Sequence, residues 1–141
     1  GFFSKEDFVL SAPVEGRLLF DEQPVAGKKV FRRLNYGDEY IDEVTTSSDG
    51  RFSFPKKVIK TSKPSNMFDN ESVIQHIYTL DENAKEVTIW AVRLFPYEHK
   101  DTLTEYLSNL VCDIANEPET FDIAAKNDKQ HTFAVFTTCK L

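Results

Sequence analysis

The sequence predicts an all-β domain, an antiparallel β-sandwich of about seven to nine short strands with at most one short helix. Three observations point to it. Apolar and polar residues alternate over short stretches, as in Arg51-Phe52-Ser53-Phe54, where the two rings fall on one face. Turn-forming clusters separate these stretches: Asp21-Glu22-Gln23-Pro24, Gly37-Asp38 and Asp49-Gly50. Twelve Phe against one Trp and one Met supply rigid core material for sheets packed face to face.

Taken in order, residues 1–12 mix polar residues with Phe2, Phe3, Phe8, Val9 and Leu10, and read as an N-terminal arm. A single sandwich domain is expected over 13–141. Its first strand, Pro13 to Phe20, places Val14, Leu18 and Phe20 on one face, with Gly16 marking a bulge or a close backbone approach. The strand from Lys28 to Tyr36 sets Val30, Leu34 and Tyr36 in phase, broken by Arg32 on that face and Phe31 on the other. Glu39 to Thr46 is a polar strand leading into the Asp49-Gly50 reversal, where glycine reaches positive φ without a Cβ clash. Residues 56–70 are the least regular part. Ser72 to Leu80 is β-branched and aromatic on both faces. Glu86 to Phe95 is the most apolar run and reads as a central strand covered on both sides. The stripe Leu103, Tyr106, Leu107, Leu110 and Val111 suits an amphipathic helix, yet Leu110 to Ile114 suits a strand equally. The expectation is a short helix or turn near 101–106 and strand from about 107. Phe121 to Ala125 reads as a short strand, and Gln130 to Lys140 as the last.

A length of 141 residues suits one domain able to bury a core without metal or cofactor. The net charge of -6 argues against a nucleic-acid partner, because phosphate binding needs a basic surface. No apolar run approaches the roughly 18 residues of a membrane-spanning helix. Opening on Gly1 rather than Met reads as processing, trimming or a cloning scar. Cys112 and Cys139 are either two separate buried thiols or a disulfide. The even count, with one cysteine near the end of the chain, favours the disulfide, and with it an oxidising compartment such as the periplasm or the exterior.

Three segments resemble the transthyretin-like, carboxypeptidase-regulatory-like β-sandwich family: Val14-Glu15-Gly16-Arg17-Leu18, Gln23 to Val30, and Thr46 to Pro55. The family pattern carries a "G-x-P-x-x-G" turn and a "T-x-x-D-G-x-F-x-F" hairpin. Here Gln23-Pro24-Val25-Ala26-Gly27 and Thr46-Ser47-Ser48-Asp49-Gly50-Arg51-Phe52-Ser53-Phe54 stand at those places, with Glu22 where the first turn glycine belongs. The resemblance spans 13–55 and implies a sandwich module that acts by adhesion or interaction.

No chemistry-bearing constellation is legible. His76, His99 and His131 lack metal-ligand spacing, and neither cysteine belongs to a C-x-x-C, so no metal, cofactor or catalytic residue is assigned. The acidic group Asp38, Glu39, Asp42 and Glu43 lacks calcium-loop spacing and reads as a solvated edge. The chain is therefore expected to be a non-enzymatic, periplasmic or secreted domain that binds another protein with a basic or cleft-shaped surface. An immunity- or inhibitor-type protein neutralising a secreted toxin or hydrolase is one version. Contacts are expected from Asp38, Glu39, Asp42 and Glu43, from Met67 and Phe68, and from the acidic 115–122 stretch. The alternative is a carbohydrate- or surface-binding module with Tyr36, Tyr40 or Tyr97 stacking on sugar rings.

Overall fold

Alternation at period two is realised strand by strand in the computed structural model, which describes residues 5–61, 72–94 and 100–141. The described elements are β1 (Glu6–Ser11), β2 (Val14–Phe20), β3 (Gln23–Pro24), β4 (Lys29–Tyr36), β5 (Asp38–Thr45), β6 (Arg51–Phe54) and β7 (Lys57–Thr61). After them come β8 (Val73–Leu80), β9 (Glu86–Leu94), α1 (Lys100–Leu107), β10 (Leu110–Asp113), β11 (Glu119–Ala125) and β12 (Asp128–Thr137). The twelve strands exceed the expected seven to nine, because β1, β3 and β7 are short additions at the sheet margins.

One layer is a six-stranded sheet in the order β11-β12-β9-β8-β4-β5, antiparallel throughout. The facing layer combines β10-β2-β3, with β6 also paired to β2, and the β1–β7 pair. The core between them holds Val30, Leu34 and Tyr36 from β4, Ile77 from β8, Trp90 and Val92 from β9, and Val135 from β12. Opposite stand Val14, Leu18, Phe52, Phe54 and Cys112. One pair departs from the antiparallel expectation: β10 runs parallel to β2, with Leu110 opposite Gly16 and Cys112 opposite Leu18.

The N-terminal arm is a strand from Glu6 onward, with Phe8 and Leu10 buried in the common core. The expected short helix is α1, which runs on to Leu107, so the strand expected from about 107 starts only at Leu110. The helix closes one end of the core, its Leu103 and Leu107 set near Leu10, Val73 and Leu94. It does not cover the outer face of β8 and β9; that face is covered by its own side chains. A register shift opposite Ile77/Tyr78 adds a residue to β9, so Ile89 and Trp90 are both buried. Phe20, at the end of β2, is 56% exposed rather than inward.

The reversal between β5 and β6 depends on Gly50, at φ +82°, where an added Cβ would lie 2.5 Å from the Leu18 carbonyl oxygen. The Leu18 N–H donates to the Gly50 carbonyl at 2.7 Å, which ties the turn to β2. Gly16 answers a close approach instead: a Cβ there would meet the Phe52 ring at 2.6 Å. The β2–β3 turn, at the place of the missing family glycine, holds Asp21 and Glu22 at φ 51° and 69°. A two-residue hairpin turn with both φ positive strains L-residues. The Asp113 carboxylate compensates by accepting from both N–H groups, at 2.9 and 2.8 Å.

Cys112 and Cys139 are disulfide-bonded. The bond joins β10 to the residues after β12 and so stitches the two layers together. With a separation of 27 residues, its loop-closure contribution is about 3–4 kcal/mol.

Candidate functional site

Four carboxylates lie on β5, and the strand's position decides what each can do. Among the described residues β5 is the edge of the six-stranded sheet; β4 pairs along one side from Tyr36–Asp38 to Lys29–Thr45, and no described strand pairs along the other. An edge of eight residues exposes a row of backbone donors and acceptors. Glu39, Ile41, Glu43 and Thr45 are exposed, while Tyr40, Asp42 and Val44 are half-buried.

Asp42 is already engaged from the core side. It accepts a 2.8 Å bond from Arg32 Nη2, and the Arg32 side chain is completely buried. Arg32 also donates to the Pro55 carbonyl at 2.7 Å and lies over the Phe54 ring at 5.0 Å. The residue that breaks the β4 pattern is thus a buried cation that needs Asp42 as its counter-charge. Nearby runs a buried polar chain in which Trp90 Nε1 donates to Gln75, and Gln75 Nε2 donates to Ser11. Glu43 meets Lys29 at 3.6 Å, with both side chains more than half exposed, a contact of little energetic weight. The side chains of Asp38 and Glu39 make no hydrogen bond or ion pair among the described residues, although the Glu39 charge helps to raise the Arg33 pKa. Asp38, Glu39, Ile41, Glu43 and Thr45 are therefore the exposed side chains of the edge. Met67, Phe68, Tyr97 and His99 lie outside the described residues. Within the 115–122 stretch, residues from Glu119 onward belong to β11, the opposite edge of the same sheet.

Beside the edge, the outer face of β4, β8 and β9 carries a closed polar and aromatic cluster. Arg33 binds both carboxylate oxygens of Glu86, at 2.8 and 3.1 Å, and sits 4.7 Å over the Tyr78 ring. Its Nη2 also donates to His76 Nδ1 at 2.8 Å. Because arginine can only donate, His76 Nδ1 accepts, and Nε2 carries the proton toward Thr88 Oγ1 at 2.9 Å. Burial and then the Arg33 charge push the His76 pKa down, against an opposing pull from Glu86. The Arg33 hydrogen bond holds the Glu86 carboxyl below its ordinary range and raises the Arg33 pKa in turn. Phe31 stacks on Tyr78 with centroids 5.2 Å apart. These groups bond and stack on one another, with the Glu86 side chain at the solvent side. Among the described residues no group of three His, Cys, Asp or Glu could hold a metal ion.

A groove of about 610 Å³ opens where β5 ends, lined by Thr45, by Arg51 and Ser53 of β6, by Glu15 and Arg17 of β2, and by Asn109. Arg17 and Arg51 are directly opposite each other in the β2–β6 ladder. Like charges so placed repel, and Asp49 lies between them: its carbonyl accepts from Arg17 Nε and its carboxylate from Arg51 Nε, each at 2.9 Å. Of the rings considered for sugar stacking, Tyr36 is buried and Tyr40 lies half-buried under Lys57 Nζ, 5.5 Å from its centroid.

Residues 14–117 match the model of the domain of unknown function DUF6795. The chain belongs to this family. No curated protein and no solved structure matches it. The part shared with DUF6795 runs from β2 past β10, so the acidic edge, the Arg32–Asp42 pair and the groove all lie within it.

Sequence reasoning placed the acidic strand and the cysteine pair but missed Arg17, Arg51, Arg32 and Asp113. The odd inward position of Arg32 was the one signal available. A charge on a core face needs a counter-charge, and the nearest acidic strand lay one hairpin away.

Proposed function

We propose that this DUF6795 member is a non-enzymatic protein-binding domain of an extracytoplasmic space, periplasmic or secreted. It engages its partner through β5. The observation that carries the reading is the edge position of β5, with Glu39, Ile41 and Glu43 exposed and no strand among the described residues on its free side. An extended segment of a partner adds to such an edge through main-chain hydrogen bonds, and side chains at every second position set specificity. The acidic row repels a second copy of β5 and admits a basic segment, so one device guards against self-association and selects the partner.

The disulfide between Cys112 and Cys139 supports an oxidising compartment, and no helix among the described residues is long and apolar enough to cross a membrane. The transthyretin-like resemblance of 13–55 belongs to the same reading, as a module of interaction. In its sharper version the domain is an immunity- or inhibitor-type protein whose acidic edge blocks a basic surface of a secreted toxin or hydrolase.

The test is charge reversal at the edge. Glu39→Lys/Glu43→Lys should lose the partner that the wild-type chain retains from extracytoplasmic extract at low salt, with its melting temperature unchanged. Retention of the same partner by both proteins would overturn the edge as the contact.

A further inference from the structure

The groove at the end of β5 says which end of the partner is recognised. β4 occupies one side of β5, and the groove is shared by Val44 and Thr45 with β6, so it lies along the open side where an added strand would run. The same groove contains Arg17 and Arg51. Both use only Nε internally, on Asp49, and their terminal Nη nitrogens have no partner among the described residues. Two guanidinium forks with their end-on edges free match the geometry of a carboxylate.

Charge bookkeeping selects the anion. Arg17 and Arg51 both bond Asp49, and Glu15 lines the same groove, so the groove is near neutral and suits a single negative charge rather than a phosphate dianion. Asp49 already answers the repulsion of this cross-strand pair on the Nε side, and a carboxylate would take the Nη side.

We propose that the groove captures the C-terminal carboxylate of a partner segment that adds to β5, with Arg17 and Arg51 as its ligands. This rests on the edge-strand reading above. The carboxylate sits at the Thr45 end of β5, so the segment runs parallel to β5 and finishes in the groove. Its side chains alternate: basic residues flank Glu39 and Glu43, and apolar residues take the other face. The recognised partner is therefore a chain whose extreme C-terminus is an extended, alternating basic and apolar segment.

The test uses two labelled octapeptides of alternating lysine and valine, one ending in a free carboxylate and one amidated, titrated against the intact protein in about 150 mM salt. The amidated peptide carries one more net positive charge, so simple attraction to an acidic protein favours it. Carboxylate capture reverses that order. The expected result is binding of the free acid about tenfold tighter than the amide, with the preference lost in Arg17→Gln and in Arg51→Gln. Each variant removes one member of a like-charged pair, so the fold should persist, and Trp90 fluorescence verifies it. Equal binding, or tighter binding of the amide, overturns carboxylate capture while leaving strand addition in place. If neither peptide binds, the edge-strand reading falls with it.

Discussion

Removing Asp42 should destabilise the protein more than removing the buried cation it neutralises. Arg32 is fully buried, and among the described residues its bond to Asp42 at 2.8 Å is the one contact with an opposite charge. Asp42→Ala leaves that guanidinium in the core with the Pro55 carbonyl, the Phe54 ring and a 3.5 Å contact to Ser11. Breaking a buried pair from one side costs roughly 3–5 kcal/mol. Asp42 is 36% exposed, so water reaches the vacated position and the lower end, about 3 kcal/mol, applies. For 141 residues the unfolding entropy is about 0.3 kcal/mol per degree, so the melting temperature should fall by about 10 °C. Arg32→Met removes the charge itself and fills similar volume. Asp42 then turns to solvent, water can serve the exposed Pro55, and the loss should be about 1 kcal/mol. The double variant should match Arg32→Met. Urea unfolding followed by the fluorescence of Trp90, the single tryptophan and fully buried, gives all three values. A loss below about 0.5 kcal/mol for Asp42→Ala, the range of ordinary surface substitutions, would refute the pairing argument. So would a larger loss for Arg32→Met than for Asp42→Ala.

Glu22→Gly should stabilise the fold by about 0.5 kcal/mol, because relief of left-handed strain at φ 69° exceeds the extra freedom glycine brings to the unfolded chain. Glu22→Ala, which keeps the strain, should give no gain, and equal urea midpoints for both variants would disprove the account. His76 has a folded pKa below its ordinary 6.5, so its contribution to stability is complete above that value and shrinks as pH falls toward the folded pKa. Glu86, held below 4.5, adds a second loss of the same sign at lower pH. Unfolding midpoints should thus be flat above pH 6.5 and decline beneath it. His76→Gln should remove the first decline, and its survival in that variant would exclude His76 as the cause.

Much of the fold was legible because strands announce themselves locally. Alternation set the inner faces of β4, β6 and β12, including Phe31 and Phe136 outward and Arg32 inward. The Asp49-Gly50 reversal was legible from chemistry alone, since few residues other than glycine reach φ +82° beneath a carbonyl. The stripe from Leu103 was ambiguous for a physical reason: helix and strand share it, the helix ending at Leu107 and the strand beginning at Leu110. β1 was hidden because Glu6 and Asp7 mask the alternation, and its strand character comes from pairing with β7. In the candidate site, the acidic strand was visible as a run of charges. Which of those charges were free was not, because Arg32 settles that from the core.

By itself the sequence determined what depends on neighbours a few residues apart: strand periodicity, turn positions, an acidic strand and a pair of cysteines near enough in the chain to be joined. Only the tertiary structure decided what depends on residues far apart. The Asp113 carboxylate supports a strained turn at Asp21 from 92 positions away. β10 lies parallel to β2, and Arg17 comes to face Arg51 across a ladder whose register no local pattern specifies. Side-chain alternation says which way a residue points, but not which strand stands beside it. For β5 the described residues place a strand on one side alone, which its run of acidic residues does not disclose.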